Sequence, residues 1–371
     1  MGPAMAAAPT RFLFEEQHMV NSTFWKNKTV LVTGCTGFKG AWLCLWLSAM
    51  GARVVGTARG TGSPNGVFAT AGLAEKITLE RADIRDESRV LEIFATHKPQ
   101  VVFHLAAQPL VGLSYECPDE TYAINVIGTL NVLAGIRATA ECRCGIFVTT
   151  DRCAQQAANG QSRPNELLGG FDPYSNSKAA SEILIATYRS TFLLPQGKGI
   201  AMGRSGNVVG GGDWAKDRLI PDCIRAMQAG EALTIRNPNA AKPWQYVLDI
   251  LAGYLCLGQK LWEQPQAFSQ AWNFRPQDEP MLTVGDMVQV LRDAYDPDYH
   301  DIRYGQPPQH GLEQVQRDES PTRAMLDWHP LVSAADAVAH AARWYQAAAK
   351  QNAAAETMAQ LQEYRKMCEQ A

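Results

Sequence analysis

The chain has 371 residues, 46% of them hydrophobic and 19% charged, with a formal net charge of −3. That balance supports a sizeable core, excludes a disordered chain, and gives no reason to expect nucleic acid or an anionic membrane as a partner. Nine scattered cysteines, odd in number and without a C-x-x-C pair, point to reduced thiols in the cytoplasm rather than a disulfide framework or a zinc site.

No metal site is expected, and no apolar run reaches the length of a membrane span. Residues 1–23 lack the basic start and apolar core of a signal peptide, interrupted as they are by Pro9 and Glu15-Glu16, and read as a flexible arm. Val30 to Thr33 read as a buried parallel strand. Gly34, Gly37 and Gly40 follow, and then a helix through Ala41 to Leu47. Strand, glycine turn and helix form the context of a dinucleotide site. The first glycine permits the tight turn, the second lets backbone N–H groups approach a pyrophosphate, and the third lets helix and strand pack closely. Thr36, Phe38 and Lys39, between these glycines, are candidate cofactor contacts.

Ala52 to Arg59 read as a second strand. A carboxylate at its end would hold a ribose 2′-hydroxyl, but the chain has Ala58 and Arg59 there. NAD and NADP both stay open at this point, with Arg59 either a 2′-phosphate partner or a solvated loop residue. A third strand over 77–82 leads to Asp83 and Ile84, placed to meet the adenine edge, and a helix is expected over 88–96. Val101 to Ala107 read as a fourth strand, in which His104 is a core residue; Leu105, Ala106 and Ala107 leave room for the cofactor backbone. A long helix over 119–138 carries Asn125, a further cofactor candidate, and a fifth strand covers 145–150. The alternation predicts an α/β fold: a doubly wound parallel sheet of the Rossmann type with a smaller C-terminal α/β substrate domain.

The fifth strand ends at Thr149-Thr150-Asp151-Arg152. Ligands of open α/β sheets lie beyond the carboxyl ends of strands, so these side chains are expected in the cleft. Tyr174 and Lys178 follow, four residues apart and therefore on one helical face. A free tyrosine titrates near pH ~10. The Lys178 ammonium and a bound nicotinamide are expected to lower that value and make Tyr174 a usable base.

These residues resemble the extended short-chain dehydrogenase/reductase family: Thr33-Gly34-x-x-Gly37-x-x-Gly40, then Tyr174-x-x-x-Lys178. More narrowly the chain is similar to the nucleotide-sugar 4,6-dehydratases of that family that act on CDP-D-glucose. The similarity rests on Gly37 to Leu43, His104 to Val111, Leu168 to Ser175, Gly206 to Pro221 and Arg236-Asn237-Pro238, within about 24–345. The resemblance implies that Tyr174 removes the 4-hydroxyl proton while hydride leaves C4, and that water is then eliminated across C5 and C6. Thr150 would bind the 4-oxygen, Asp151 would protonate the departing 6-hydroxyl, and hydride would return to C6.

The family carries lysine where this chain has Arg152, and the resemblance implies a part in C5 deprotonation for that position. Arginine stays protonated and cannot act as a base, although it can stabilise an enolate. The family's next aromatic is replaced by Cys153-Ala154-Gln155-Gln156, with an apparent shortening up to Leu167. A 4-epimerase, a ketoreductase, or a binding protein without catalysis therefore stand beside the dehydratase as readings.

On the substrate side, Gln108, Asn207, Gly212, Asp213, Arg218, Leu219, Ile220, Arg236 and Tyr246 are the candidate contacts, with arginine forks suited to a diphosphate. Lys242-Pro243-Trp244-Gln245-Tyr246 resembles the family's Arg-Pro-Trp-Gln-His. Helices are expected over 282–295 and 334–348, and the tail from Ala349 to Gln370 reads as a surface or oligomer-contact helix. Residues 24–206 with about 244–276 would form the dinucleotide-binding domain, and about 207–243 with 277–371 the substrate domain. A homodimer or homotetramer is the family habit.

Overall fold

The computed structural model describes residues 19–153, 161–162, 168–276, 281–305, 316–317 and 320–371. The arm before residue 19 and the expected shortening through Ala154, Gln155 and Gln156 lie outside the described residues. The arm stops short of its expected end. Val20 is buried, and Asn21 caps a helical turn over Ser22–Trp25 by accepting from the Phe24 N–H at 3.1 Å.

Seven parallel strands make the central sheet: β1 Thr29–Thr33, β2 Arg53–Ala58, β3 Thr78–Arg81, β4 Val101–His104, β5 Cys144–Thr150, β6 Gly199–Ser205 and β7 Ala271–Phe274. Their spatial order is β7-β6-β5-β4-β1-β2-β3. Strands β1, β4, β5 and β6 are almost wholly buried, as expected of strands covered on both faces. β1 pairs with β2 on one side and β4 on the other, with Thr33 opposite both Thr57 and His104. The winding reverses there, and the crevice beyond those strand ends is the ligand position of such sheets.

Helix α1 (Phe38–Ala49) is apolar on nearly every side; Trp42, Leu43, Cys44, Leu45, Trp46 and Leu47 are all buried. A helix of that kind belongs inside a large core. Helices α2 (Glu87–His97), α3 (Gly128–Ala138) and α4 (Pro173–Tyr188) build a second core against the alternate strand residues Leu31, Val55 and Val102, on the other face of the sheet. The single helix expected over 119–138 is instead a short helix, Pro118–Tyr122, a wider π turn over Ala123–Ile127, and then α3.

Beyond β6 the chain makes two small parallel pairs, Asn207–Val209 with Trp244–Tyr246 and Leu233–Ile235 with Ile302–Tyr304. Helices α5 (Leu219–Ala229), α6 (Val247–Glu263), α7 (Val284–Tyr295), α8 (Ala334–Ala349) and α9 (Ala353–Gln370) are the longer helices of this second half. The tail is more than a surface helix. Leu361, Tyr364 and Cys368 of α9 are buried, and Tyr364 meets Trp46 of α1 edge-on at 5.6 Å. Among the described residues, no helix is long and apolar enough to cross a membrane, and no cluster of side chains could hold a metal ion.

Candidate active site

The glycine turn closes directly over β4. Gly34 has φ +74°, and a Cβ there would stand 2.8 Å from the Ala106 nitrogen. Its N–H donates to the Thr57 carbonyl at 2.7 Å. A Cβ on Gly40 would collide with the Gly34 carbonyl. Gly37 is the N-cap of α1 and offers no capping side chain, so the first N–H groups of that helix face the turn. A cradle that side chains would fill, at the positive end of a long helix, fits a dinucleotide pyrophosphate. The Leu105 and Ala106 N–H groups donate to Thr33 Oγ1 at 3.2 and 3.1 Å, fixing the strand end against the turn. Thr36 belongs to the turn itself, while Phe38 leans its ring on Gly210 and the core behind it. His104 is a core residue, as expected: its ring nitrogens meet Thr33 and Thr129, and burial pushes its pKa down to about 3.

At the far end of the crevice, Asp83 is clamped by Arg85 at 2.6 Å, and this pairing holds its carboxyl below the usual range. Arg59 is exposed and pairs with Glu120 at 3.0 Å, with Asp83 at 3.9 Å. Ile84 is buried beside Gly128.

The other end is built by α4 and the β5 terminus. Asp172 caps α4, its Oδ1 accepting from the Ser175 N–H at 2.8 Å, and Pro173 opens the first turn. Tyr174 therefore stands in the first turn, one turn from Lys178. The Thr150 side chain lies close enough to favour the phenolate form of Tyr174. Lys178 donates from Nζ to the Val148 carbonyl at 3.0 Å. The Arg152 N–H donates to Thr150 Oγ1 at 3.3 Å, and the Arg152 side chain is exposed.

The expected depression of the Tyr174 pKa is absent from the protein alone. Burial pushes it up to about 12, against the Thr150 side chain and the charges of Arg218 and Arg152, while Asp151 adds to the rise. Burial also lowers Lys178 to about 8 and Lys39 to about 7. In each case the loss of water around the charged form outweighs the neighbouring hydrogen bonds and charges.

Beneath this lies a support absent from the sequence reading. Glu182, fully buried on α4, accepts from Arg204 Nε at 2.9 and 3.1 Å, from Thr149 Oγ1 at 2.6 Å and from the Cys153 thiol at 3.2 Å. The network ties α4 to the ends of β5 and β6. Its only sequence signal was a glutamate two turns after Tyr174 on the helix face that carries Lys178.

Several candidates are turned away from the cleft. Thr149 spends its hydroxyl on Glu182, so only its backbone remains for a cofactor. Asn125 brackets Gln108, accepting from its N–H at 2.9 Å and donating to its carbonyl at 3.1 Å. The Gln108 side chain in turn closes its own loop onto Leu110 and Thr121. Tyr246 is buried, stacked on His340, and hydrogen-bonded to Gln360 at 3.0 Å. Ile220 is a core residue, and Leu219 packs against the core. Gly212 sits where a Cβ would strike Val67 and Trp344, so the glycine-rich loop is a packing seam. Asp213 and Arg218 form an ion pair at 3.1 Å at the start of α5. Asn207 opens the short strand paired with Trp244–Tyr246, and Arg236 is exposed after Leu233–Ile235.

The family model described as GDP-mannose 4,6 dehydratase matches residues 31–340. The CDP-glucose 4,6-dehydratase of Salmonella typhimurium is 39% identical over 335 residues, covering 89% of this chain and 93% of that protein. The solved UDP-glucose 4-epimerase of Thermotoga maritima superposes with TM-score 0.73 at 21% identity, covering 86% of this chain and 98% of its own. The dTDP-glucose 4,6-dehydratase of Bacillus anthracis, solved in complex with NAD, gives 0.70 at 18% identity, covering 87% and 98%. The strand order, the glycine cradle and the tyrosine–lysine turn agree with these matches, and the chain belongs to the GDP-mannose 4,6 dehydratase family of extended short-chain dehydrogenase/reductases.

Proposed function

We propose that the chain is a nucleotide-sugar 4,6-dehydratase converting CDP-D-glucose to CDP-4-keto-6-deoxy-D-glucose. The observation that carries this is the Thr150-Asp151 strand end set against Tyr174 and Lys178, in a chain 39% identical along most of its length to a CDP-glucose 4,6-dehydratase.

When bound, a nicotinamide dinucleotide supplies a reversible hydride acceptor for the sugar C4. Gly34, Thr36, Gly37, Gly40 and the first N–H groups of α1 would hold its phosphates, and Asp83 and Ile84 its adenosine end. NAD is favoured over NADP because Arg59 is already engaged by Glu120 and Asp83, which leaves a 2′-phosphate without a free basic partner there.

Tyr174 takes the proton of the sugar 4-hydroxyl, and Thr150 holds the 4-oxygen. Lys178, one helical turn away, stabilises the phenolate that forms. The ketone at C4 acidifies C5–H. Asp151 protonates the departing 6-oxygen, which leaves as water. Arg218 and Arg236, with Asn207, would meet the diphosphate side of the substrate. The proposal assigns residues 24–206 with about 244–276 to the cofactor domain and about 207–243 with 277–371 to the substrate domain, although α9 of the latter docks on α1 and α6 of the former.

A homodimer is part of the proposal. Ile127 and Ile183 are 48% and 56% exposed on neighbouring helical segments, apolar side chains suited to a second copy. Nine free cysteines, eight of them buried, fit a reducing cytoplasm.

Incubation with CDP-glucose and a panel of other nucleotide sugars, read by mass spectrometry, tests the reading. The expected product is CDP-glucose less one water. Unchanged masses across the panel would contradict it.

A further inference from the structure

Elimination across C5 and C6 needs one group to take the C5 proton and another to protonate the departing 6-oxygen. Asp151 fills the second role in the reading above. Arg152 cannot fill the first, because a guanidinium stays protonated.

Three lysines come near this space among the described residues. Lys178 donates to the Val148 carbonyl and belongs with Tyr174. Lys242 stands on the outer side, where the charge of Arg152 bears on it. Lys39 leaves the first turn of α1, yet its head does not stay with the glycine turn. Its Nζ donates to Ser205 Oγ at 3.2 Å at the end of β6 and lies 5.9 Å from the Tyr254 ring centre. There it meets the charges of Arg218, Lys178, Asp151 and Asp213. Asp151 reaches the same strand end, since a Cβ on Gly206 would stand 2.9 Å from its Oδ2. The amine and the carboxyl thus flank consecutive residues. In the sugar, C5 lies between C4, served by Tyr174 and Lys178, and C6, served by Asp151. Lys39 is the lysine on which the charges of both Lys178 and Asp151 bear.

We propose that Lys39 is the base that takes the C5 proton, an inference that rests on the dehydratase reading. The C5–H bond breaks, the proton goes to Lys39 Nζ, and the electron pair passes into the C4 enolate. That pair then forms C5=C6 as the C6–O bond breaks and Asp151 gives the leaving oxygen its proton. When hydride returns to C6, the Lys39 ammonium gives a proton back to C5, so the net change is loss of one water. Burial and the neighbouring cations hold Lys39 near about 7, where a neutral amine is present at physiological pH. A lysine on the cofactor loop thereby supplies what Arg152 withholds.

The test uses Lys39→Arg and Lys39→Met, with Lys242→Met for comparison. Each variant is titrated with NAD by tryptophan fluorescence and then mixed with CDP-glucose. Lys39→Arg is expected to bind NAD within a few-fold of the parent and to accumulate reduced-nicotinamide absorbance from C4 oxidation. Its water loss should fall about 10²- to 10⁴-fold, the usual contribution of a general base. Lys39→Met should stall at the same point, and Lys242→Met should not. Elimination at the parent rate in Lys39→Arg overturns the proposal. So does an equal loss of oxidation and elimination in that variant, or a stall seen only with Lys242→Met. If the parent protein itself releases no water, the dehydratase reading fails, and the Lys39 assignment with it.

Discussion

Tyr174 is a poor base until something positive arrives. With its pKa pushed up to about 12 by burial, the phenol is protonated at neutral pH. The sugar hydroxyl and the dinucleotide must supply the missing stabilisation together, which restricts proton removal to the complete complex. Tyr174→Phe should lower turnover by about 10²- to 10⁴-fold while leaving NAD affinity within a few-fold, read by steady-state kinetics and a fluorescence titration. Glu182 makes a different prediction. Glu182→Gln leaves the Arg204 guanidinium buried beside a neutral amide, and breaking such a pair costs about 3–5 kcal/mol; urea denaturation measures it. The Tyr174–Lys178 spacing was legible because both residues belong to one helix. The surroundings of Gln108 and Asn125 were hidden because the Asn125 side chain brackets the Gln108 backbone, a pairing that joins a loop to a helix 17 positions away in the chain. Lys39 was legible as a loop residue, but the direction of its side chain depends on where β6 ends.

The strands and helices of the first half were readable because buried parallel strands are short apolar runs and the helices between them are periodic. The break at Ala123–Ile127 carries no proline, and its glycine, Gly128, comes only after the π turn, so composition gave no notice of it. The docking of α9 was hidden too, since its partners lie far back in the chain, among them Trp46, Tyr246 and a buried carboxylate. Asp249 of α6 accepts from the Leu331 and Val332 N–H groups at 2.8 and 3.3 Å and from the Tyr364 hydroxyl at 2.6 Å. Burial raises its pKa to about 7, with these hydrogen bonds pulling the other way. Between about pH 4, where an unfolded aspartate loses its proton, and about 7, the folded chain keeps a proton that the unfolded chain has released. This group's contribution therefore favours folding at the acid end and is lost as pH rises to about 7. Urea midpoints across that window should fall with rising pH, and Asp249→Asn should flatten the trend. Tyr364→Phe should cost about 1–3 kcal/mol by removing a buried partner.

At the scale of the whole molecule, one reversal of strand order sets the rest. Because β1 lies between β2 and β4, the crevice opens at the glycine turn, and β5 and β6 bring Asp151 and Ser205 to the same edge. The sequence alone was sufficient for the layered α/β architecture. It was not sufficient for the packing of the glycine-rich loop onto Trp344, which joins residues far apart in the chain. The exposed face around Ile127 and Ile183 gives a further expectation. Ile183→Glu places a charge on it and should convert a dimer into monomers, seen as a halved mass in light scattering after gel filtration. An unchanged mass would remove that face from the assembly.

The central claim is that hydrogen lent by C4 comes back to the same sugar at C6. CDP-glucose deuterated at C4 measures it directly. The account predicts a product that has lost one water and carries the deuterium in its new C6 methyl group, with no net reduced cofactor. Deuterium still at C4, or lost to solvent, would contradict it.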